Sequence, residues 1–363
     1  MKKLQLVAMG DQEAEAARKP PAGTAVKIAI DLSRTKWVYA IRWGGQERRR
    51  LTTPAQLKHL QALVAQYPNC PVRIAYEACG FGYDIAWWAQ EQNLDITVIA
   101  PSRMERTPGL QVKTDRLDAS KMARKLELGE LRSIYIPRRT AHNERQVARS
   151  YGQVLKERKR AQTRIRSLMQ EHGRLGPPPQ AHWKTYNDWL QAQVLDEHLG
   201  LCVGAMLAIR SMADIQARAL KARMLAIAGS ERYARCVEAL CTQPGIGPLS
   251  AIRFILEIGD VRRFANADSI AHYLGLTPSE YSSGPTVQRG PILKCGPGTL
   301  RACMVQCAWV AVRSKGGDPP LREMYERLVE RTGKKRAIVA VTRRLVRRCR
   351  ARWLELEEGA AAA

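Results

Sequence analysis

Four carboxylates in this chain stand where chemistry at a phosphodiester would need them. Asp31 closes the apolar run "KIAID", Glu77 closes a second, "RIAYE", and Asp115 and Asp118 lie three residues apart in "VKTDRLDASKMARK". On a helix, positions i and i+3 share a face, so this pair would crowd in a stretch otherwise rich in Lys and Arg. Like charges that close cost free energy unless a cation sits between them. Hard divalent ions take oxygen ligands, and four acids meeting at one point would hold one or two Mg²⁺. Two such ions can activate an attacking oxygen and stabilise a leaving one. Each acid also has a plainer reading. Asp31 in "DLSRT" suits a turn cap, Glu77 an arginine partner, and Asp115 a helix start favoured by the dipole. Singly the plain readings are favoured; jointly, in a basic chain, the four favour metal.

The elements that must position these acids follow from periodicity. Apolar alternation predicts strands over 26–30, 36–43 and 47–52, with Gly44-Gly45 as a tight turn. "PAQLKHLQALVAQY" has helical spacing, 72–78 reads as a strand, "GYDIAWWAQEQN" as a helix and "LDITVIAP" as a strand. Residues 115–129 read as a helix and "RSIYIP" as a last short strand. A meander followed by alternating helix and strand predicts a mixed α/β sheet. If the first and fourth strands are neighbours, as a ribonuclease-H-type sheet requires, Asp31 and Glu77 emerge side by side. The 115–129 helix can then bring its pair to the same place.

From 138 the text becomes helical. Residues 138–175 hold eleven Lys or Arg against three Glu, with Val147, Val154, Leu155, Ile165 and Leu168 on one narrow stripe. After "GPPPQ", residues 183–229 read as a second long helix, so 138–230 is expected to form a helical hairpin or coiled-coil arm. A basic solvated face without a partner is the plainer alternative. "CTQPGIGPLSAI" resembles a helix-hairpin-helix, in which Gly245 and Gly247 would bring backbone N–H groups to a phosphate. A simple interhelical turn is the alternative. A Gly/Ser/Pro-rich loop and a helix near 297–313 follow. Residues 331–352, with ten basic and no acidic residues, read as a helix suited to a nucleic-acid backbone. The expected organisation is a flexible leader over 1–24, an α/β domain over 25–137, the arm over 138–230, a mainly helical domain over 231–353 and a disordered tail over 354–363.

Composition narrows the partners. The 363 residues include 59 Lys plus Arg against 34 Asp plus Glu, a formal charge of +25. Such an excess repels itself until an anionic partner neutralises it, and nucleic acid is the leading candidate. No stretch reaches the roughly 18 apolar residues of a spanning helix, so no membrane is expected. The nine cysteines include no CxxC pair, and Cys303 and Cys307 one turn apart suit core packing. Reduced thiols in a cytoplasmic, nucleoid-associated protein are the expectation.

"IAIDLSRTKW", "YEACGFGYDIAWWA", "VKTDRLDASKMA", "QPGIGPLSAI" and "YLGLTPSEYSSG…GPILKCGPGTLR" are similar, in order and spacing, to the DEDD-type insertion-sequence transposases, the family numbered one hundred and ten. The resemblance runs from about 26 to 350. It implies a RuvC-like ribonuclease-H domain whose metal ligands are Asp31, Glu77, Asp115 and Asp118. It also implies a coiled-coil arm and a C-terminal transposase domain with a nucleophilic serine. In "EYSSG" that serine carries over to Ser283, directly before glycine, with Ser282 as its neighbour and rival. Cys79 replaces the family's usual hydroxyl residue and removes no ligand. The resemblance further implies strand exchange through a covalent phosphoserine, donor and target double-stranded DNA, a structured bridge RNA as guide, and a dimer or tetramer with shared sites. Lys113, Arg116, Arg289, Lys294 and Arg301, with Gly245 and Gly247, are the candidate nucleic-acid contacts, though each basic residue also suits plain surface charge. Two other readings stay open: a Mg²⁺-dependent nuclease or junction resolvase that uses water, and a nucleic-acid-binding protein without chemistry.

Overall fold

The computed structural model describes residues 19–78, 80–100, 115–281 and 288–361, with the backbone alone at Asp115, Arg116, Arg289 and 360–361. The chain divides into two compact units, Met1–Arg138 and Arg139–Ala363.

The first unit is a five-stranded mixed sheet with helices. Its strands are β1 (Val26–Leu32), β2 (Lys36–Trp43), β3 (Gln46–Pro54), β4 (Val72–Glu77) and β5 (Asp95–Ile99), in the order β3-β2-β1-β4-β5. β1 pairs antiparallel with β2 and parallel with β4, so the first and fourth strands are neighbours. The order is consistent with a ribonuclease-H-like DEDD domain. Side chains alternate across the sheet. Val26, Ile28 and Ile30, with Ile74 and Tyr76, bury one face beneath α1 (Leu57–Val64) and α2 (Asp84–Glu91). The other face is small: Ala29, Ala40 and Ala75 meet Ala119, Met122, Ala123 and Leu126 of α3 (Asp115–Glu127). Alanine on both surfaces lets α3 lie close against the strands.

Two expectations for this unit change. "RSIYIP" forms no strand. Ile134 N–H donates to the Val98 carbonyl at 2.7 Å, but the Val98 N–H is taken by the Ser133 hydroxyl at 3.2 Å, so the ladder stops after one main-chain bond. Ile134 and Ile136 still pack on the core. Residues 21–24, expected in the leader, are pinned to the sheet unit: Gly23 N–H donates to the Asn69 carbonyl at 2.8 Å. Residues 1–18 lie outside the described residues.

The second unit is mainly helical. α4 (Arg139–Glu171) and α6 (Glu197–Ala228) run antiparallel. Ile165 and Met169 meet Leu199 and Val203, Arg158 bonds Asp214 at 3.1 Å, and Ala148 clusters with Met224 and Ile227. The long helix expected over 183–229 is two helices, α5 (Trp183–Gln191) and α6. Asp196 starts the second by accepting bonds from His198 and Leu199 N–H, each at 3.0 Å, and this cap overrides the helical propensity around it. α6 is apolar on both sides. By length and composition alone it is apolar enough to cross a membrane. Counting unbroken apolar runs missed this because Arg210 and Asp214 interrupt them.

The remaining elements are α7 (Ala234–Cys241), α8 (Pro248–Ile258), α9 (Ala267–Tyr273), the hairpin β6 (Pro278–Glu280) and β7 (Arg289–Ile292), α10 (Gly298–Arg313), α11 (Pro319–Thr332) and α12 (Lys334–Ala361). They share one core with the ends of α4 and α6. The tail expected to be disordered from 354 is helical through Ala361. Trp353 is buried, Leu354 and Leu356 pack on the core, and Trp353 Nε1 donates to Glu357 at 3.1 Å.

Candidate active site

Ile30 and Tyr76 are the last paired residues of β1 and β4, and Asp31 and Glu77 come next on each strand. Asp31 shares a face with Ala29, and Glu77 with Ala75, the face that α3 covers. Both acids are half-buried.

Glu127 sets the position of α3 along that face. Its carboxylate accepts from Arg42 Nε at 2.8 Å and Gly45 N–H at 3.1 Å, and lies 3.8 Å from Lys27 Nζ. Burial alone would push Glu127 up. The bonds from Arg42 and Gly45 and the charges of Arg42 and Lys27 outweigh it, holding the carboxyl below its usual range. The C-terminal end of α3 is therefore fixed beside Lys27, near the start of β1. Asp118 lies nine residues back along the helix, about 13 Å. Asp31 lies four residues along β1 from Lys27, again about 13 Å. Both residues thus lie the same distance from the Glu127–Lys27 contact, one along the helix and one along the strand that it covers. Asp118 adjoins buried Ala119 and is itself half-buried.

Asp115 is the first residue of α3, one turn from Ala119; its side chain, like that of Arg116, lies outside the described residues, as do Lys113 and Cys79. Among the described residues no three metal-ligating side chains form a group that could hold an ion. The described acids thus share one face and one end of the sheet without closing on a centre by themselves. Their donor chemistry, carboxylate oxygen only, fits a hard divalent cation.

The serine candidates belong to the second unit. Ser282 and Ser283 lie in 282–287, outside the described residues, between β6 and β7. The ends of that segment are held: Glu280 pairs with Arg289, and Tyr281 N–H donates to the Gln288 carbonyl at 2.9 Å. Below the hairpin two loops interlock. A Cβ on Gly275 would stand 2.4 Å from the Cys295 carbonyl oxygen, and one on Gly296 would stand 1.9 Å from that of Tyr273. This contact accounts for Gly275 of "LGL" and Gly296 of "CGPG". Arg301 ties the same loops together, with Nη1 donating to the Leu274 carbonyl at 2.8 Å and the Cys295 carbonyl at 2.9 Å. Lys294 is exposed beside it, and the side chain of Arg289 is outside the described residues. His272 sits 3.1 Å from the Thr277 hydroxyl at the foot of the hairpin.

Gly245 and Gly247 join α7 to α8. Gly245 has φ +86°, and a Cβ there would lie 2.2 Å from the Cys307 carbonyl oxygen, so α10 demands a glycine at this turn. Gly247 has open space and precedes Pro248 at the exposed start of α8. Cys303 and Cys307 are buried, as their spacing suggested. Sequence reasoning missed Glu127. Its signal was an acid ending a helix of otherwise basic character, readable only once Lys27 and Arg42 were known to face it.

Comparison with known proteins bears on both units. Residues 237–326 match the family described as Transposase IS116/IS110/IS902, and residues 28–173 match a DEDD-type transposase family of the same group. A putative transposase y4qE of Sinorhizobium fredii is 30% identical over 292 residues, 78% of this chain and 70% of that protein. A probable family 20 transposase of Pseudomonas aeruginosa is 29% identical over 79% of this chain and 84% of its own length. A pilin gene-inverting protein of Moraxella bovis is 30% identical over 30% of this chain and 33% of its own length.

Proposed function

Because the chain belongs to the IS116/IS110/IS902 family of insertion-sequence transposases, we propose that it cuts and rejoins DNA through a covalent serine–phosphate intermediate, at sites chosen by a guide RNA. What supports this reading is that Asp31 and Glu77 end adjacent parallel strands, on the face covered by the helix that carries Asp118. With Asp115, they would hold divalent metal, Mg²⁺ by donor hardness, which supplies Lewis-acid polarisation of a phosphoryl oxygen when bound.

The Ser283 hydroxyl forms an ester to phosphorus while the scissile P–O bond breaks, and the departing sugar oxygen takes up a proton. A free sugar hydroxyl from the exchanged strand then attacks that ester and releases serine, so no water is consumed. A serine hydroxyl needs an activating base or metal. Guidance by base pairing suits a protein whose basic helices fit backbones. Acting on chromosomal DNA would place it with the nucleoid.

Exchange between two duplexes needs at least two copies, and α6 supports a dimer. Leu201, Ala205, Ala208, Met212, Ile215 and Ala219 recur at alternating spacings of four and three on its outward side, all exposed. A heptad seam of alanines between larger apolar residues fits a second helix of the same kind. A contact along Leu201–Ala226, about 38 Å, that buries half the girth of a helix about 11 Å across would cover about 650 Å² per partner, near the ~800 Å² of a standard interface.

The test is covalent capture. Wild-type protein incubated with donor DNA, target DNA and the element's RNA should yield a denaturation-resistant protein–DNA adduct that Ser283→Ala abolishes. Cutting undiminished in Ser283→Ala, with no adduct in either protein, would instead assign a nuclease that uses water.

A further inference from the structure

α11 and α12 enclose a cavity of about 420 Å³ whose charged lining is entirely cationic: Arg327 from α11 and Arg343, Arg344, Arg347 and Arg348 from α12, with Met324 among the apolar lining. On α12 the arginines form two rows, 343/347 and 344/348, each pair one turn or about 6 Å apart. We propose that this groove binds the consecutive phosphates of a nucleic-acid strand, with Asp268 holding the place that a phosphate takes.

Five guanidinium groups around one cavity repel unless anions lie between them. Two carboxylates reach them from outside the lining. Asp318 bonds Arg348, but its other oxygen accepts the Leu321 N–H at 2.8 Å and starts α11, so this pair belongs to the scaffold. Asp268, in the first turn of α9, bonds both Arg343 and Arg347 and is itself 62% exposed. Its removal from the groove uncovers no core. Arg343 Nε and Arg347 Nε are buried without a hydrogen-bond acceptor among the described residues. Arg327 and Arg344 are exposed and make no ion pair among the described residues. The groove thus presents two committed arginines, held by an exchangeable carboxylate, beside two open ones.

Guanidinium forks match phosphate oxygens two at a time, which suits arginine better than lysine here. A pair of rows with a one-turn repeat meets successive phosphates along a strand, where a single inorganic phosphate would leave half the groove unfilled. The apolar floor accepts the sugar face. The groove uses none of the residues that the covalent mechanism invokes, so it stands whether or not that mechanism does.

The experiment uses the full chain and fluorescence anisotropy with labelled duplex DNA, single-stranded DNA and RNA across a salt series. Arg327→Ala/Arg344→Ala removes two phosphate partners. The slope of log affinity against log salt should flatten by about 1.8 for a duplex or about 1.4 for a single strand. Asp268→Asn frees Arg343 and Arg347 and should tighten binding several-fold. The two variants moving in opposite directions at equal thermal stability cannot arise from damage to the fold. The nucleic acid whose slope flattens by its own full expected amount names the occupant. An unchanged slope in the double variant overturns the proposal. So does an Asp268→Asn variant that weakens binding, or inorganic phosphate that abolishes binding at constant ionic strength as effectively as a strand does, which would make this a single-anion site.

Discussion

The acid end of the sheet and the hairpin side of the helical unit answer to different kinds of constraint. In the sheet, side chains alternate and strands keep register, so two runs of similar apolar pattern ending in Asp31 and Glu77 place those acids together once β1 and β4 are paired. One long-range anchor, Glu127 on Lys27, Arg42 and Gly45, then sets the height of α3. In the helical unit no period governs the loops. Their positions depend on backbone meeting backbone, as at Gly245 against Cys307 and Gly275 against Cys295. The first region should tolerate loss of its functional groups without losing its fold; the second is held by residues that have no chemistry of their own.

That contrast can be broken most decisively at the acids. Asp31→Ala and Asp118→Ala should each lower recombination by at least about 100-fold. Their melting temperatures should change little, because both carboxylates are only half-buried at the strand and helix ends. A large fall in melting temperature would make these acids structural.

Gly245→Ala should do the reverse. The added Cβ meets the Cys307 carbonyl, and φ is positive there, so the helical unit should lose about 3 kcal/mol in urea unfolding. Unchanged stability would remove the packing account of this turn and return Gly245 to a phosphate contact.

Glu127→Gln tests what connects strand register to the acid site. The folded carboxyl is held below its ordinary value, so its contribution is complete above the unfolded value and is lost as pH falls through the folded one. At neutral pH the variant should lose about 1–3 kcal/mol. In acid its stability should converge on that of the wild type. A constant gap across pH would refute the electrostatic origin of the anchor.

The smallest energetic effect is expected on α6. Met212→Glu should leave unfolding within about 0.5 kcal/mol, since the side chain is 57% exposed, yet shift sedimentation from dimer to monomer. A dimer that survives it places the contact elsewhere.

Much of the sheet was legible because period-2 alternation is a local signal. Even there "RSIYIP" misled, since one hydroxyl, Ser133, took the N–H that a strand would have paired. The break at 192–196 was missed because Asp196 acts as a cap only when the chain turns there. The tail misled for the opposite reason: "EEGAAAA" is polar and small, but Trp353, Leu354 and Leu356 before it anchor the helix on the core. The Arg343–Arg348 rows were visible as charge, whereas the cavity they line needs α11 opposite them. Charge is written in the sequence; the surface it faces is not.

The central claim is that the four acids jointly bind a divalent cation, and Mn²⁺ titration followed by calorimetry and electron paramagnetic resonance tests it directly. Saturable binding should occur in the wild type and vanish in both Asp31→Ala and Asp118→Ala, with Ser283→Ala unaffected. Binding that persists undiminished in either acid variant, or recombination that proceeds at full rate in EDTA, would contradict it.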